Sequence, residues 1–174
     1  MSVMFVLFIT GCNSVDDDMD AVEKGKYLVN LGGCNMCHTP KTMDSSGMVY
    51  DGTKLLSGHP QNDTETEHTA SAVNEEGWEV KSNFHMTRWA GPWGISYAAN
   101  LTPDEETGIG SWDEDMFVKI IRSGFLKDSG HKIQLPMPSQ NLSKLSDDDL
   151  KAIFVYLKSI KPIKNKVPAS VSAE

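Results

Sequence analysis

The sequence predicts an all-α domain, because three stretches have helical periodicity and no alternating apolar pattern persists between them. The clearest of the three, SDDDLKAIFVYLKSI at 146–160, spaces its apolar residues three and four positions apart. With 174 residues, of which 39% are hydrophobic, the chain can bury one sizeable core rather than two. We therefore expect one helical domain over residues 21–162.

The first and last helices have clear start and stop signals. The first follows an aspartate and begins at Ala21, and Gly32 and Gly33 either end it or let the backbone approach a ring edge. The last begins behind Ser146 with three aspartates at the positive end of its dipole, and it is expected to stop at Pro162.

The middle helix is predicted to open at a capping box. Ser111 is followed three positions later by Glu114, a spacing in which each side chain can satisfy a backbone N–H near the other residue. Gly124 is expected to close this helix. The apolar stripe that should face the core consists of Met116, Phe117, Ile120 and Ile121.

A long stretch between residues 38 and 100 has no helical or strand periodicity. Gly, Pro, Ser, Asn and Thr recur there, and the aromatic residues are isolated. We expect irregular structure wrapped on the helical core, with a short hairpin around Trp78 to Trp89. The last segment, 163–174, is basic and interrupted by proline, which predicts an extended surface tail.

A dense group of reactive side chains follows the first helix. The stretch CNMCH at 34–38 holds two of the three cysteines and a histidine within five positions. If it is helical, Cys34, Cys37 and His38 point from nearly one face. C-x-x-C-H is the signal for c-type haem attachment, in which each thiol adds to a porphyrin vinyl group and the imidazole reaches the iron. The motif predicts one covalent haem c.

Two other kinds of site use similar residues. A structural zinc site normally has four ligands, and the only other cysteine, Cys12, lies far upstream in an apolar segment. A thioredoxin-like dithiol usually follows a strand, whereas the residues before Cys34 look helical. Both alternatives are weaker than haem on this motif, but they remain open at the level of sequence.

Met137 is the strongest candidate for the second iron ligand. It lies in LPMPSQ between Pro136 and Pro138, which restrict the backbone and hold the thioether with little conformational freedom. The alternative is a loop methionine that merely covers the core. Met116 is expected to fill the core instead, while Met36 lies inside the motif. The other methionines considered, Met43, Met48 and Met86, fall in the irregular stretch.

The remaining histidines are weaker candidates for the iron, since a lone loop histidine usually faces solvent. This expectation applies to His59, His85 and His131. His68, surrounded by acidic and polar residues in DTETEHTA, is expected to be exposed.

The N-terminus predicts export. A short apolar run ends in ITGC at Cys12, which resembles a bacterial lipobox, and an acidic tether follows within residues 1–20. A lipid on Cys12 would anchor the chain to a membrane on its periplasmic or cell-surface side. The alternatives are a plain cleaved signal peptide and a buried Cys12 thiol. Export agrees with the haem motif, because bacteria attach haem covalently outside the cytoplasmic membrane.

Charge and hydropathy exclude two other classes of function. The net charge of −8 argues against nucleic acid as a partner, because phosphate binding depends on Lys and Arg that carboxylates outnumber here. No run of about 18 apolar residues occurs, so no spanning helix is expected.

Together these stretches resemble a class I c-type cytochrome. The resemblance runs from about Ala21 to Pro168 and is carried by CNMCH, GPWGISYAANLTPDEETGIGSW, and PMPSQNLSKLSDDDLKAIFVYLKSIKPIKNKVP. It is similar to exported bacterial cytochromes with a single haem. It implies a helical cytochrome c domain with a long irregular insert before the distal methionine. The implied site comprises Cys34 and Cys37 as thioether links, His38 as proximal ligand and Met137 as distal ligand.

The resemblance also raises two weaker candidates. In related cytochromes a tryptophan and an arginine near the second helix hydrogen-bond the haem propionates, which would give Trp112 and Arg122 that role. The alternative is a helix-capping aromatic residue and a solvated cation.

The ligand set predicts an electron carrier rather than an enzyme. With protein ligands on both faces of the iron, substrate has no coordination site, and methionine opposite histidine favours Fe(II). The expected partners are an exported dehydrogenase or quinol-oxidising complex on one side and a terminal oxidase or other acceptor on the other. The alternatives are a haem enzyme or gas sensor with a displaceable sixth ligand, and a structural lipoprotein without haem.

Overall fold

The computed structural model describes residues 20–63, 73–74, 77–126 and 130–173. The predicted signal peptide with Cys12 lies outside the described residues, and so does His68. Among the described residues, no helix is both long and apolar enough to span a membrane.

Five α-helices occur in the described part of the chain. They are α1 (Ala21–Leu31), α2 (Cys34–His38), α3 (Glu114–Ser123), α4 (Ser139–Leu142) and α5 (Asp147–Ser159). A 3-10 turn covers Gly52–Lys54.

Eight short strands accompany these helices. Two antiparallel hairpins are formed by β1 (Lys41–Asp44) with β2 (Gly47–Tyr50), and by β3 (Val73–Asn74) with β4 (Gly77–Trp78). A four-stranded antiparallel sheet has the order β5 (Lys81–Ser82), β6 (Arg88–Gly91), β7 (Gly94–Tyr97) and β8 (Val171–Ser172).

The prediction of an all-α domain is therefore wrong, because helices and antiparallel sheet both build this chain. Strands of two to four residues are too short to show the alternation by which a strand is recognised in a sequence. Glycines at Gly91 and Gly94 further obscure the β6–β7 hairpin. The hairpin expected around Trp78 to Trp89 has its counterpart in β5 and β6, where Ser82 pairs with Trp89.

The core lies where α1, α3 and α5 meet. Gly25 of α1 allows this packing, since a Cβ there would come within 2.0 Å of the Ala152 carbonyl oxygen on α5. From α3, Phe117 packs against Phe154 with ring centroids 5.4 Å apart. The buried cluster also includes Val29, Leu56, Ile109, Ile121, Leu150, Ile153, Tyr156 and Leu157.

The helix caps agree with the sequence in part. Ser146 caps α5, because its hydroxyl accepts the backbone N–H of Asp149 at 3.1 Å, and Gly124 ends α3 with a φ of 72°. The capping box at Ser111 is wrong, since α3 is capped by Asp113, whose carboxylate accepts the N–H of Met116 at 2.7 Å. Met116 itself is half-buried and outside the core cluster, so it does not fill the core as expected.

The C-terminal segment lies against the irregular insert. Asn165 is buried and its amide donates to the carbonyls of Ser57 and His59 at 2.7 and 2.8 Å. Asn100 in turn donates to the Ile163 carbonyl at 2.8 Å. With β8 paired to β7, these bonds hold the extended tail and the insert together in front of the helical core.

Candidate haem-attachment site

The CNMCH motif forms a single helical turn, α2, directly after α1. Gly33 separates the two helices with a φ of 65°, a left-handed conformation that glycine adopts without steric cost. Cys34, Cys37 and His38 therefore emerge from one short helix, as the sequence predicts for a helical motif.

Both thiols are half-buried, and neither forms a disulfide. Burial raises the pKa of Cys34 and of Cys37, so both are neutral thiols at neutral pH. At Cys37, burial is opposed by the Lys41 ammonium and by a hydrogen bond from the Trp89 side chain, which both lower its pKa. The two cysteines thus have different surroundings: Cys34 packs against the core, whereas Cys37 meets a cation and strand β6.

His38 is held in one orientation by the insert. Its side chain is buried, and Nδ1 lies 2.8 Å from the carbonyl oxygen of Ala99. Burial lowers the pKa of His38, so the ring is neutral and Nδ1 carries the proton that it donates to Ala99. The backbone is fixed as well, because Gly58 donates its N–H to the His38 carbonyl at 2.8 Å.

This geometry fits a haem iron. With Nδ1 committed to Ala99, Nε2 is the nitrogen that carries a lone pair for a metal. A backbone carbonyl behind a metal-binding histidine sets its tautomer and ring orientation and raises its basicity. The donor set of one neutral imidazole beside two uncombined thiols on one turn suits covalent haem.

Lys41 closes the C-terminal end of α2, a role that the motif itself does not suggest. Its ammonium donates to the carbonyls of Met36 and Thr39 and lies 5.3 Å from the centre of the Tyr50 ring. The side chain is buried, and burial lowers the pKa of Lys41. A cation at this position complements the negative end of the helix dipole.

Met137 lies half-buried on the loop before α4. Its N–H donates to the Gln134 carbonyl at 3.2 Å, and its own carbonyl accepts from Ser139 at 2.8 Å. Ser96 of β7 donates its hydroxyl to the Leu135 carbonyl at 2.6 Å, which ties this loop to the sheet. The chain continues from β7 to Ala99, so one strand is bonded to both candidate ligand segments.

The remaining histidines differ from the sequence expectation. His59 does not face solvent: it is buried, its Nδ1 lies 3.0 Å from the Thr87 hydroxyl, and its ring lies 4.9 Å from that of Tyr97. His85 is half-buried, with Nδ1 2.9 Å from the Lys41 carbonyl. His131 is exposed.

Trp112 and Arg122 have other contacts. Arg122 forms an ion pair with Asp147 at 2.5 Å and donates to the Ser143 carbonyl, which joins α3 to the start of α5. Trp112 packs against the core cluster. In the part of the chain that the structure describes, no three His, Cys, Asp or Glu side chains are grouped to hold a metal ion, so the zinc alternative gains no support.

No family model matches the chain. It is 30% identical over 156 residues to the cytochrome c subunit of a quinone-dependent alcohol dehydrogenase of Gluconobacter oxydans, covering 88% of the chain and 25% of that protein. It is 29% identical over 135 residues to the cytochrome c subunit of gluconate 2-dehydrogenase of Pantoea cypripedii, covering 78% of the chain and 22% of the relative.

Similarity extends to a subunit of the nicotinate dehydrogenase of Pseudomonas putida, which is 27% identical over 149 residues and covers 86% of the chain. That match spans 9% of the relative. The chain thus corresponds to a quarter or less of the length of these three curated relatives.

Proposed function

Because the chain belongs to the c-type cytochromes, we propose that it carries single electrons through one haem attached to Cys34 and Cys37. When bound, the haem supplies an iron that alternates between Fe(III) and Fe(II). The two thiols hold the porphyrin edge, and His38 binds the iron through Nε2. The observation that carries this proposal is the bond from His38 Nδ1 to Ala99, which leaves the opposite nitrogen for the metal.

Met137 is proposed as the sixth ligand. Its support is the position between two prolines and the hydrogen bonds that attach its loop to β7. A thioether opposite an imidazole stabilises Fe(II) and raises the reduction potential. With both axial positions filled by the protein, the domain has no open coordination site for a substrate, and it acts as a carrier without catalysing a reaction by itself.

A dehydrogenase is the proposed electron donor. Several relatives are named as cytochrome c subunits of alcohol or gluconate dehydrogenases, and this chain would accept electrons from an enzyme of that kind. A quinol-oxidising complex is the other possible donor, and a terminal oxidase or other acceptor takes the electron. Cys12 is proposed to carry a lipid that anchors the exported protein at the periplasmic or cell-surface side of a bacterial membrane.

The test is a spectrum of the purified, matured chain. We expect one haem per chain by pyridine haemochrome assay, a low-spin spectrum in both oxidation states, and no change when carbon monoxide is added to the reduced protein at neutral pH. Ready binding of carbon monoxide would instead favour a haem enzyme or gas sensor. A colourless preparation from cells that mature other c-type cytochromes would refute haem binding altogether.

A further inference from the structure

Strand β7 has an unusual position between the two segments proposed to bind the iron. Beyond its last residue, Tyr97, the chain reaches Ala99, whose carbonyl accepts the His38 ring proton at 2.8 Å. Ser96, within the strand, donates its hydroxyl to the Leu135 carbonyl at 2.6 Å. Leu135 is two residues before Met137. The strand can therefore set the position of one segment relative to the other.

The Ser96 hydroxyl has a defined direction. The side chain is buried, and its oxygen lies 3.3 Å from the Trp93 indole nitrogen, which can only donate. Since a serine hydroxyl has one proton, accepting from Trp93 leaves that proton for the Leu135 carbonyl. The bond to Leu135 is therefore built into the sheet.

The other attachments of the Met137 loop are weaker. Leu135 itself is 57% exposed, so its side chain does not anchor the loop by packing. Gln134 donates its amide to the Trp93 carbonyl at 3.5 Å and to the Ser172 hydroxyl at 3.3 Å, both longer than the Ser96 bond. The amide oxygen of Gln134 is buried without a hydrogen-bond partner in the described structure.

We propose that Ser96 is a positioning residue that holds Met137 on the iron by fixing the Leu135 carbonyl. This inference rests on the proposed His38 and Met137 ligation. A thioether is a weak neutral ligand, so its residence on iron depends on how tightly its loop is restrained. Loss of one net hydrogen bond should raise the fraction of iron without Met137 by about two- to tenfold.

The experiment measures the apparent affinity of the reduced, full-length holoprotein for carbon monoxide, which competes with Met137 for the iron. In Ser96→Ala this affinity should rise by about two- to tenfold, while covalent haem content stays at the parent level. Ser82→Ala is the matched control, because Ser82 lies on β5 of the same sheet and donates to the Asn83 carbonyl at 3.0 Å. It should behave as the parent does.

A second pair of variants separates the hydroxyl from packing. Ser96→Thr and Ser96→Val have nearly the same shape, and threonine alone keeps the donor. Carbon monoxide affinity should be higher in the valine variant than in the threonine variant by the same factor. Equal affinities in this pair, or parent affinity in Ser96→Ala, would overturn the role of Ser96. If Met137→Ala binds carbon monoxide no better than the parent, the ligand assignment itself fails, which is a distinct outcome.

Discussion

The imidazole of His38 and the carbonyl of Ala99, 61 residues apart in the chain, are joined by a hydrogen bond of 2.8 Å. This bond connects the short helix α2 to the segment after β7. It gives the irregular insert a definite function, since the insert supplies the group that orients the proximal ligand. Disturbing Ala99 without touching His38 should therefore alter the haem.

Gly58 offers that test. Its φ is 79°, and a Cβ there would come within 2.5 Å of the Ala98 carbonyl oxygen and 2.6 Å of the Ala99 carbonyl oxygen. Gly58→Ala should push the Ala99 carbonyl away from Nδ1 and leave the imidazole less electron-rich. We expect the reduction potential to rise in a redox titration, and the free energy of unfolding to fall.

Gly124→Ala is the control for backbone strain, because Gly124 has a φ of 72° but a Cβ added there would meet no atom within 4 Å. Gly58→Ala should lose about 1–3 kcal/mol more of the free energy of unfolding than this control does. Equal potentials and equal stabilities in the two variants would mean that the Ala99 carbonyl is not displaced.

The haem motif could be predicted from sequence because its chemistry belongs to side chains at fixed spacing. The carbonyl of Ala99 could not, since every residue has a carbonyl and only the tertiary fold selects one. The same holds for Ser96, one of many serines in the chain. His59 was missed as a buried residue because its surroundings, Thr87 and Tyr97, come from a distant strand and turn.

The helices show what local sequence can decide. Ser146 was predicted as a cap and is one, because three aspartates and a strong apolar period follow it. At the middle helix, Ser111 and Asp113 are both suitable caps, and the one nearer the first apolar residue is used. The sheets were missed because their strands are short and their partners lie far apart, as with β7 and the C-terminal β8.

Cys34 and Cys37 should each contribute one thioether. In Cys34→Ala or Cys37→Ala the haem should remain through one bond at reduced yield, and in the double variant none should survive denaturing electrophoresis followed by haem staining. The reduced spectrum of each single variant should shift to longer wavelength, because one vinyl group stays conjugated with the porphyrin. Haem that stays covalently bound in the double variant would contradict the attachment site.

Cys12→Ser separates export from haem attachment. Serine cannot take the thioether lipid, so the protein should move from the membrane fraction to the soluble periplasmic or extracellular fraction. Its haem content per chain should equal that of the parent, because Cys12 is outside the haem motif. Continued membrane association of the serine variant would argue against the lipid anchor or reveal a membrane partner.

Asp149 makes the packing of α1 on α5 sensitive to pH. Its carboxylate lies 2.6 Å from the Lys24 ammonium, and hydrogen bonds from Lys24 and then Ser146 hold the pKa of Asp149 below its usual value. Because the folded pKa is the lower one, the pair stabilises the protein above the unfolded pKa, and this contribution is lost as the pH falls through the folded value.

Asp149→Asn should therefore lower the free energy of unfolding by about 0.5–1 kcal/mol at pH 7. The difference from the parent should disappear in acid, as measured by denaturant unfolding at several pH values. Asp148→Asn is the neighbouring control, since Asp148 is exposed in the same first turn of α5. A loss as large in Asp148→Asn would assign the effect to the helix dipole rather than to the ion pair.

Met137→Ala tests the distal ligand directly. The haem should stay covalently attached through Cys34 and Cys37, whereas the reduction potential should fall because the thioether no longer favours Fe(II). The weak far-red charge-transfer band of methionine on ferric haem should vanish, and the reduced variant should bind carbon monoxide readily. Met116→Ala is the matched control, because Met116 is half-buried on α3 and lies outside the core cluster. It should keep the band and lose less stability than the about 2–5 kcal/mol typical of a fully buried methionine. If the Met116 variant loses the band and the Met137 variant keeps it, the proline-flanked loop does not supply the ligand.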